Sequence, residues 1–334
     1  MSNLLKEMKP TQSNTLELDL QKINESIKSE GKYEVEGALI RKWEGEDESD
    51  NFIAQIKNQT TSFIGILNGR FERDGYGLNN FENGDQYFGY FEHDLRSKHG
   101  IYFWADEKKG NYIHNEVYYG YWKENKKDNH GIYLWMEEPE NNKEFDNANF
   151  DAFVGEIDED KYKKGTYLSK KIDDYYLYHG NFDENGRKTD DNAFFYSSKF
   201  DRLLKGKIVN DNFENGYVAF FDSETGLIND LVYCTFGGDG DVTSIKRKDE
   251  IDEKEKETVE KEINDFRNVI LEVDYFGNIY EKYKEIKEFI KEHMISLDVL
   301  DDKEKFPEII KLCVGYNSLN LFAEIEKKVY NRKV

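Results

Sequence analysis

The chain has 334 residues, a formal net charge of −22 and 15% aromatic residues, with 23 Tyr, 23 Phe and only three Pro. So much ring surface argues against a disordered chain, and Tyr and Phe with scattered Gly point to strands and turns. About −18 of the charge precedes residue 246 and about −4 follows it, a balance that disfavours nucleic acid and anionic lipid and suits a basic protein partner or simple solubility.

Residues 15–30 place Leu16, Leu20, Ile23 and Ile27 at helical spacing, which predicts a short amphipathic helix within an N-terminal segment 1–32. Nothing near Met1 has the apolar core of a signal peptide, and no stretch reaches the roughly 20 apolar residues that span a bilayer. The two cysteines, Cys234 and Cys313, make no disulfide framework. The chain reads as cytoplasmic.

Residues 33–57 read as divergent strands, and a pattern of apolar, any, Gly, any, apolar then recurs six times. Its copies are Phe63-x-Gly65-x-Leu67, Tyr87-x-Gly89-x-Phe91, Tyr118-x-Gly120-x-Trp122, Phe153-x-Gly155-x-Ile157, Tyr178-x-Gly180-x-Phe182 and Leu204-x-Gly206-x-Ile208. A second signature follows each after a polar stretch: Gly75-Tyr76-Gly77, His99-Gly100-Ile101, His130-Gly131-Ile132, Gly165-Thr166-Tyr167, the degenerate Ala193-Phe194-Phe195 and Gly216-Tyr217-Val218. Residues i, i+2 and i+4 of a strand share a face, so each copy is expected to be a hairpin with a glycine notch between two rings. A ring from the adjacent hairpin is expected to fill that notch. A lone hairpin is marginal in water, so the hairpins are expected to stack into one array, with 33–57 and 217–245 as caps.

The pattern resembles the MORN repeat family, most clearly in Tyr118-x-Gly120-x-Trp122 with His130-Gly131, and the likeness covers about residues 63–220. It implies a mainly β fold with some α: a row of antiparallel hairpins forming an elongated sheet over 33–245, followed by a small helical module over 246–334. It further implies a non-enzymatic scaffold or adaptor that binds other proteins in a cytoskeletal assembly, with an axonemal or ciliary home as one expectation and homo-oligomers as an open question. Peripheral lipid binding is the alternative that the family also suggests.

The repeat is irregular in two places. Unit glycines are spaced 24, 31, 35, 25 and 26 residues apart, and the extra length falls in Ala105–Val117 and Glu137–Asp151. The second insertion carries Glu137, Glu138 and Glu140, read either as a solvated loop or as a docking rim for a basic partner. Phe88, Tyr90, Tyr119 and Tyr121 have the opposite parity to the spine, so something should cover that second face, either a terminal segment of the chain or a partner. In the later copies the equivalent positions include Glu156, His179, Asn181, Lys205 and Lys207, which suit solvent.

Beyond a charged linker at Lys246–Lys256, Val259, Ile263, Phe266, Ile270 and Val273 form one helical stripe and Ile279 to Met294 a second, with shorter helices after Pro307 and Asn317. No phosphate loop, zinc helix or nucleophile elbow appears. His114-Asn115-Glu116 lacks the cysteines of a zinc deaminase, and Gly237-Gly238-Asp239-Gly240-Asp241 reads as a tight turn rather than a calcium loop. No enzyme, metal or cofactor is expected.

Overall fold

A computed structural model describes residues 20–35, 37–42, 51–57, 61–105, 107–109, 112–139, 149–171, 173–222 and 224–270. Their contacts divide them into two bodies, one drawing on residues up to 106 with 116–128, the other on 107–115 with 129–270. The fold is mainly β and its strands are antiparallel.

The first body opens with helix α1 (Leu20–Glu30), whose Ile23 is fully buried. Strands β1 (Lys32–Val35), β2 (Ala38–Lys42), β3 (Phe52–Lys57), β4 (Ser62–Leu67), β5 (Arg73–Asn80), β6 (Gln86–Glu92) and β7 (Leu95–Phe103) follow, each hydrogen-bonded to the next. A short β8 (Glu107–Lys109) and the start of β9 (Tyr112–Lys123), which pair with each other, fall in the second body, and the rest of β9 pairs with β7. Of the first insertion, residues 107–109 and 112–117 are strand.

The second body is built on β10 (Lys126–Pro139), β11 (Asn149–Asp158), β12 (Lys161–Lys170), β13 (Tyr175–Asn181), β14 (Asp190–Ser197), β15 (Arg202–Val209), β16 (Asn212–Phe221), β17 (Ile228–Phe236) and β18 (Val242–Lys246). Here too each strand pairs with its successor. A single 3-10 turn (Lys248–Glu250) leads into helix α2 (Glu253–Ile270). The helical stripes expected beyond residue 273 lie outside the described residues, as do Leu16 and Cys313.

Two kinds of corner recur between the strands. His93-Asp94, Glu124-Asn125, Glu159-Asp160 and Asn210-Asp211 each take positive φ at both residues, between 47° and 71°. These are two-residue type I′ turns, whose twist matches that of the strands they join. The other corner is a five-residue loop in which the first N–H donates to the fifth carbonyl and the fourth N–H to the first carbonyl. It recurs at Phe81–Asp85, Asp183–Arg187 and Gly237–Asp241 with Gly84, Gly186 and Gly240 at the left-handed position. Asn68–Glu72 has the same bonds but puts Phe71 there, at φ 60°. The run Gly237–Asp241 is thus a turn between β17 and β18, as its glycines suggested.

The core of each body is a row of rings over glycines. Gly65 faces Gly77, Gly77 faces Gly89, Gly89 faces Gly100 and Gly100 faces Gly120 across the strands of the first body. In the second, Gly131 faces Gly155, Gly155 faces Gly165, Gly165 faces Gly180 and Gly206 faces Gly216. At Gly65, Gly89, Gly155 and Gly180 the ring that fills the notch is the first ring of the same strand, not one from an adjacent hairpin as expected, and the Phe63, Tyr87 and Phe153 rings also cover Gly77, Gly100 and Gly165 on the next strand. A Cβ on Gly89 or on Gly100 would meet the Tyr87 ring, one on Gly155 or Gly165 the Phe153 ring, and one on Gly180 the Tyr178 ring. In these copies the first ring thus lies along its own strand.

This posture explains why the position favours Tyr. Tyr87, Tyr118 and Tyr178 donate their hydroxyls to the carbonyls three residues on, of Tyr90, Tyr121 and Asn181, at 3.0, 3.1 and 2.6 Å. Each also meets the third residue of its own motif edge-on: Tyr87–Phe91, Tyr118–Trp122 and Tyr178–Phe182 have centroids 5.0, 5.1 and 5.2 Å apart. The next copy is engaged the same way, with Phe63–Phe91 at 5.8 Å, Tyr87–Trp122 at 5.6 Å and Phe153–Phe182 at 5.6 Å. Edge-to-face pairs of this kind add about 0.5–1.5 kcal/mol each beyond the area they bury. In the fifth copy Ala193 stands where Gly was expected, and a register shift between Asp190 and Ala193 accompanies it. In the sixth, a Cβ on Gly206 would meet backbone and no ring.

Candidate functional site

The chemistry-bearing side chains fall into three groups. The first was not read in the sequence. At three of the four type I′ turns the second residue bonds back to a cation near the start of an earlier strand. Asp94 Oδ1 accepts from the Arg73 backbone N–H at 2.8 Å and from its Nε at 3.2 Å, while Arg73 Nη2 donates to the Asp94 carbonyl at 2.9 Å. Asn125 repeats this with Arg96 at 2.8, 3.2 and 2.9 Å. Asp211 accepts from the Lys188 backbone at 3.0 Å and lies 3.4 Å from its Nζ. Each cation also sits over spine rings: Arg73 is 4.8 Å from the Phe91 centroid, Arg96 4.5 Å from Trp122 and Lys188 5.1 Å from Tyr167. These clasps tie each corner to an earlier one and do structural work. The available signal was Arg73 four residues before Gly77 and Arg96 four before Gly100.

The second group is the opposite face of the first body. Phe88 keeps only 3% of its surface and Ile101 3%, so Phe88 belongs to the core and cannot offer its ring to a partner. Tyr90, Tyr119 and Tyr121 are half-buried, and burial pushes the Tyr119 phenol well above the usual range. Tyr76 and Tyr90 meet edge-on at 5.1 Å, Lys98 Nζ stands 3.8 Å over the Tyr90 ring, and His99 meets Tyr121 at 5.4 Å. Burial pulls the Lys98 ammonium down, but its bond to Tyr90 and the nearby Glu92 shift it upward overall. A cation stacked on tyrosines in a half-wet setting is a common way to build a contact surface. Of the acidic rim, Glu137 is exposed where β10 pairs with Asn149. The Glu138 side chain and Glu140 lie outside the described residues.

The third group is the equivalent face of the second body. Expected to suit solvent throughout, it lies in part under α2, which covers His179 and Lys205. Phe266 stacks on Phe194 at 4.5 Å with 14° between ring planes, and its ring is 5.8 Å from that of His179. Lys205 Nζ is 2.9 Å from Glu262, and the Tyr217 hydroxyl donates to Glu255. Val259 and Ile263, two residues of the expected stripe, are buried at 5% and 0%. Burial, helped by Lys164, lowers the His179 imidazole to about 4. The solvent reading holds for Asn181, which is exposed, and for Glu156 and Lys207, whose side chains keep 47% and 39% of their surface; it fails at His179 and Lys205, because a charged helix can cover polar strand residues by pairing with them.

A cleft of about 740 Å³ opens where β17 and β18 meet the start of α2, lined by Phe220, Val232, Ile245 and Ile251 with Arg247 and Lys256. Cys234 is buried and burial raises its thiol. Among the described residues no three His, Cys, Asp or Glu side chains are placed to hold a metal ion, and no helix is long and apolar enough to cross a membrane. No family model matches the chain, and no curated protein matches it.

Proposed function

We propose that the chain is a non-enzymatic scaffold of the MORN-repeat kind, which holds protein partners in a cytoskeletal assembly such as an axoneme. The observation that carries this reading is repetition. The same ring-over-glycine seat and the same turn clasp recur in both bodies, so each devotes its rings and cations to a row of hairpins. Repeat arrays of this sort present extended surfaces rather than one concave reaction site.

The half-buried Tyr90 and Tyr121 of the first body are the proposed contact residues. The net charge of −22 favours a basic partner and disfavours phosphate-rich ligands.

The test is affinity capture from the native source at moderate salt, comparing wild type with Tyr90→Ala/Tyr121→Ala. Cytoskeletal proteins should be retained by wild type and depleted at least tenfold in a variant that keeps its melting temperature. If wild type retains no stable partner, or the variant retains the same set, the reading fails. Co-localisation of the tagged chain with cilia tests the axonemal part separately.

A further inference from the structure

We propose that the face of the second body under α2 is a binding site for an acidic amphipathic helix, occupied in cis by α2 and open to a partner helix of the same pattern. The face consists of two parallel rows. One is largely apolar and buried, and runs through Leu168, Leu177, Leu203, Ala219 and Leu231. The other is largely polar or aromatic, and its register runs Thr166–His179–Phe194–Lys205–Tyr217–Tyr233–Lys246. A face built only to be core has no use for the second row. Here it reads the helix: Lys205 takes Glu262, Tyr217 takes Glu255 and Phe194 takes Phe266.

The occupant's chemistry is therefore specified. It carries apolar residues at the spacing of Val259, Ile263 and Phe266, and carboxylates at the spacing of Glu255 and Glu262. Helices recognised in this way are read through anchors three and four residues apart, with charge complementarity fixing register. The Lys205 side chain keeps 13% of its surface, so its pairing is shielded enough to discriminate. The hold of α2 is local: two buried aliphatic anchors, one ring stack and a few ion pairs on a helix whose outer side is exposed. A tethered helix of this kind competes with free ones through its effective concentration. The inference supplies the scaffold reading with the chemistry of one partner, but its test does not depend on that reading.

The test uses the full chain with Ile263→Asp/Phe266→Asp, which removes the anchors of α2. The probe is a fluorescent peptide of residues 251–270, followed by anisotropy. The peptide should saturate the opened chain at a concentration at least tenfold lower than it requires for wild type. Reversal of the peptide's charges, Glu255→Lys/Glu262→Lys, should weaken binding at least tenfold, and Lys205→Glu in the opened chain should recover part of that loss. Absence of saturable binding, or equal binding of natural and reversed peptides, overturns the proposal. If the opened chain fails to fold, hydrogen exchange on wild type decides: α2 amides should exchange at least a hundredfold faster than those of β13–β16. Equal protection would mean that α2 never leaves without the sheet, and would overturn it. Failure of partner capture with success of the peptide would remove the assembly and leave the site.

Discussion

Gly100 has no room for a side chain. A Cβ there would lie 2.3 Å from the Tyr87 hydroxyl oxygen and 2.6 Å from its ring, while one on Gly186 would meet nothing within 4 Å. Gly100→Ala is expected to cost about 2–3 kcal/mol through overpacking, and Gly186→Ala about 1 kcal/mol through its left-handed φ alone. Urea unfolding of the two variants side by side would show that order, and equal midpoints would refute the seat. Tyr87→Phe, which keeps the ring and removes one hydrogen bond, should cost about 1 kcal/mol. The sequence made the glycines and rings plain because both recur at fixed intervals. It could not say whose ring fills each notch, since a missing Cβ does not identify its occupant.

At the scale of the element, one clasp occurs in two environments. Arg73 and Asp94 retain 2% and 1% of their side-chain surface, whereas Asn125 and its carbonyl hold Arg96 in an exposed setting. Asp94→Ala strands a buried guanidinium and should cost about 3–5 kcal/mol; Asn125→Ala should cost about 1 kcal/mol. Similar losses at both sites would show that burial is not what makes the first clasp strong. The clasps were hard to read because their partners are 21 and 29 residues apart and the second is neutral on one side. Helix α2 was legible from its three-and-four spacing, but its seat was not.

His179 makes that seat sensitive to acid. Its imidazole is neutral in the fold, with a pKa near 4 against an ordinary 6.5, so the unfolded chain takes up the proton first. Its contribution is complete above pH 6.5 and falls away as the pH drops toward 4, by at most about 3 kcal/mol. Unfolding midpoints at pH 7.5 and 5 should converge in His179→Gln relative to wild type. An unchanged pH dependence would show that this group is not responsible.

Over the whole molecule, order is passed from neighbour to neighbour. Within each body nearly every strand bonds to its successor in sequence, and β18 has all five residues exposed at the end of the second. Protection from hydrogen exchange should therefore fall toward β18 from β11–β16, and uniform protection through these strands would contradict a neighbour-limited array. The mainly antiparallel β architecture was readable because it follows from a period. The division into two bodies was not, since the glycine motifs recur on both sides of residues 106–129 and Tyr118-x-Gly120-x-Trp122 lies between, so the extra length at Ala105–Val117 read as an insertion within one array.

The corners of the row have a practical meaning for anyone wishing to rebuild the protein. Although the unit glycines are spaced as unevenly as 24 and 35 residues, Gly89 still meets Gly100, and Gly131 still meets Gly155. Register is fixed at the seats, so the margins between strands can be rewritten in length without moving them. The connection between the end of β10 at Pro139 and the start of β11 at Asn149 is then a natural port for grafting a foreign peptide or a reporter domain, which the hairpin beneath would hold at a known place.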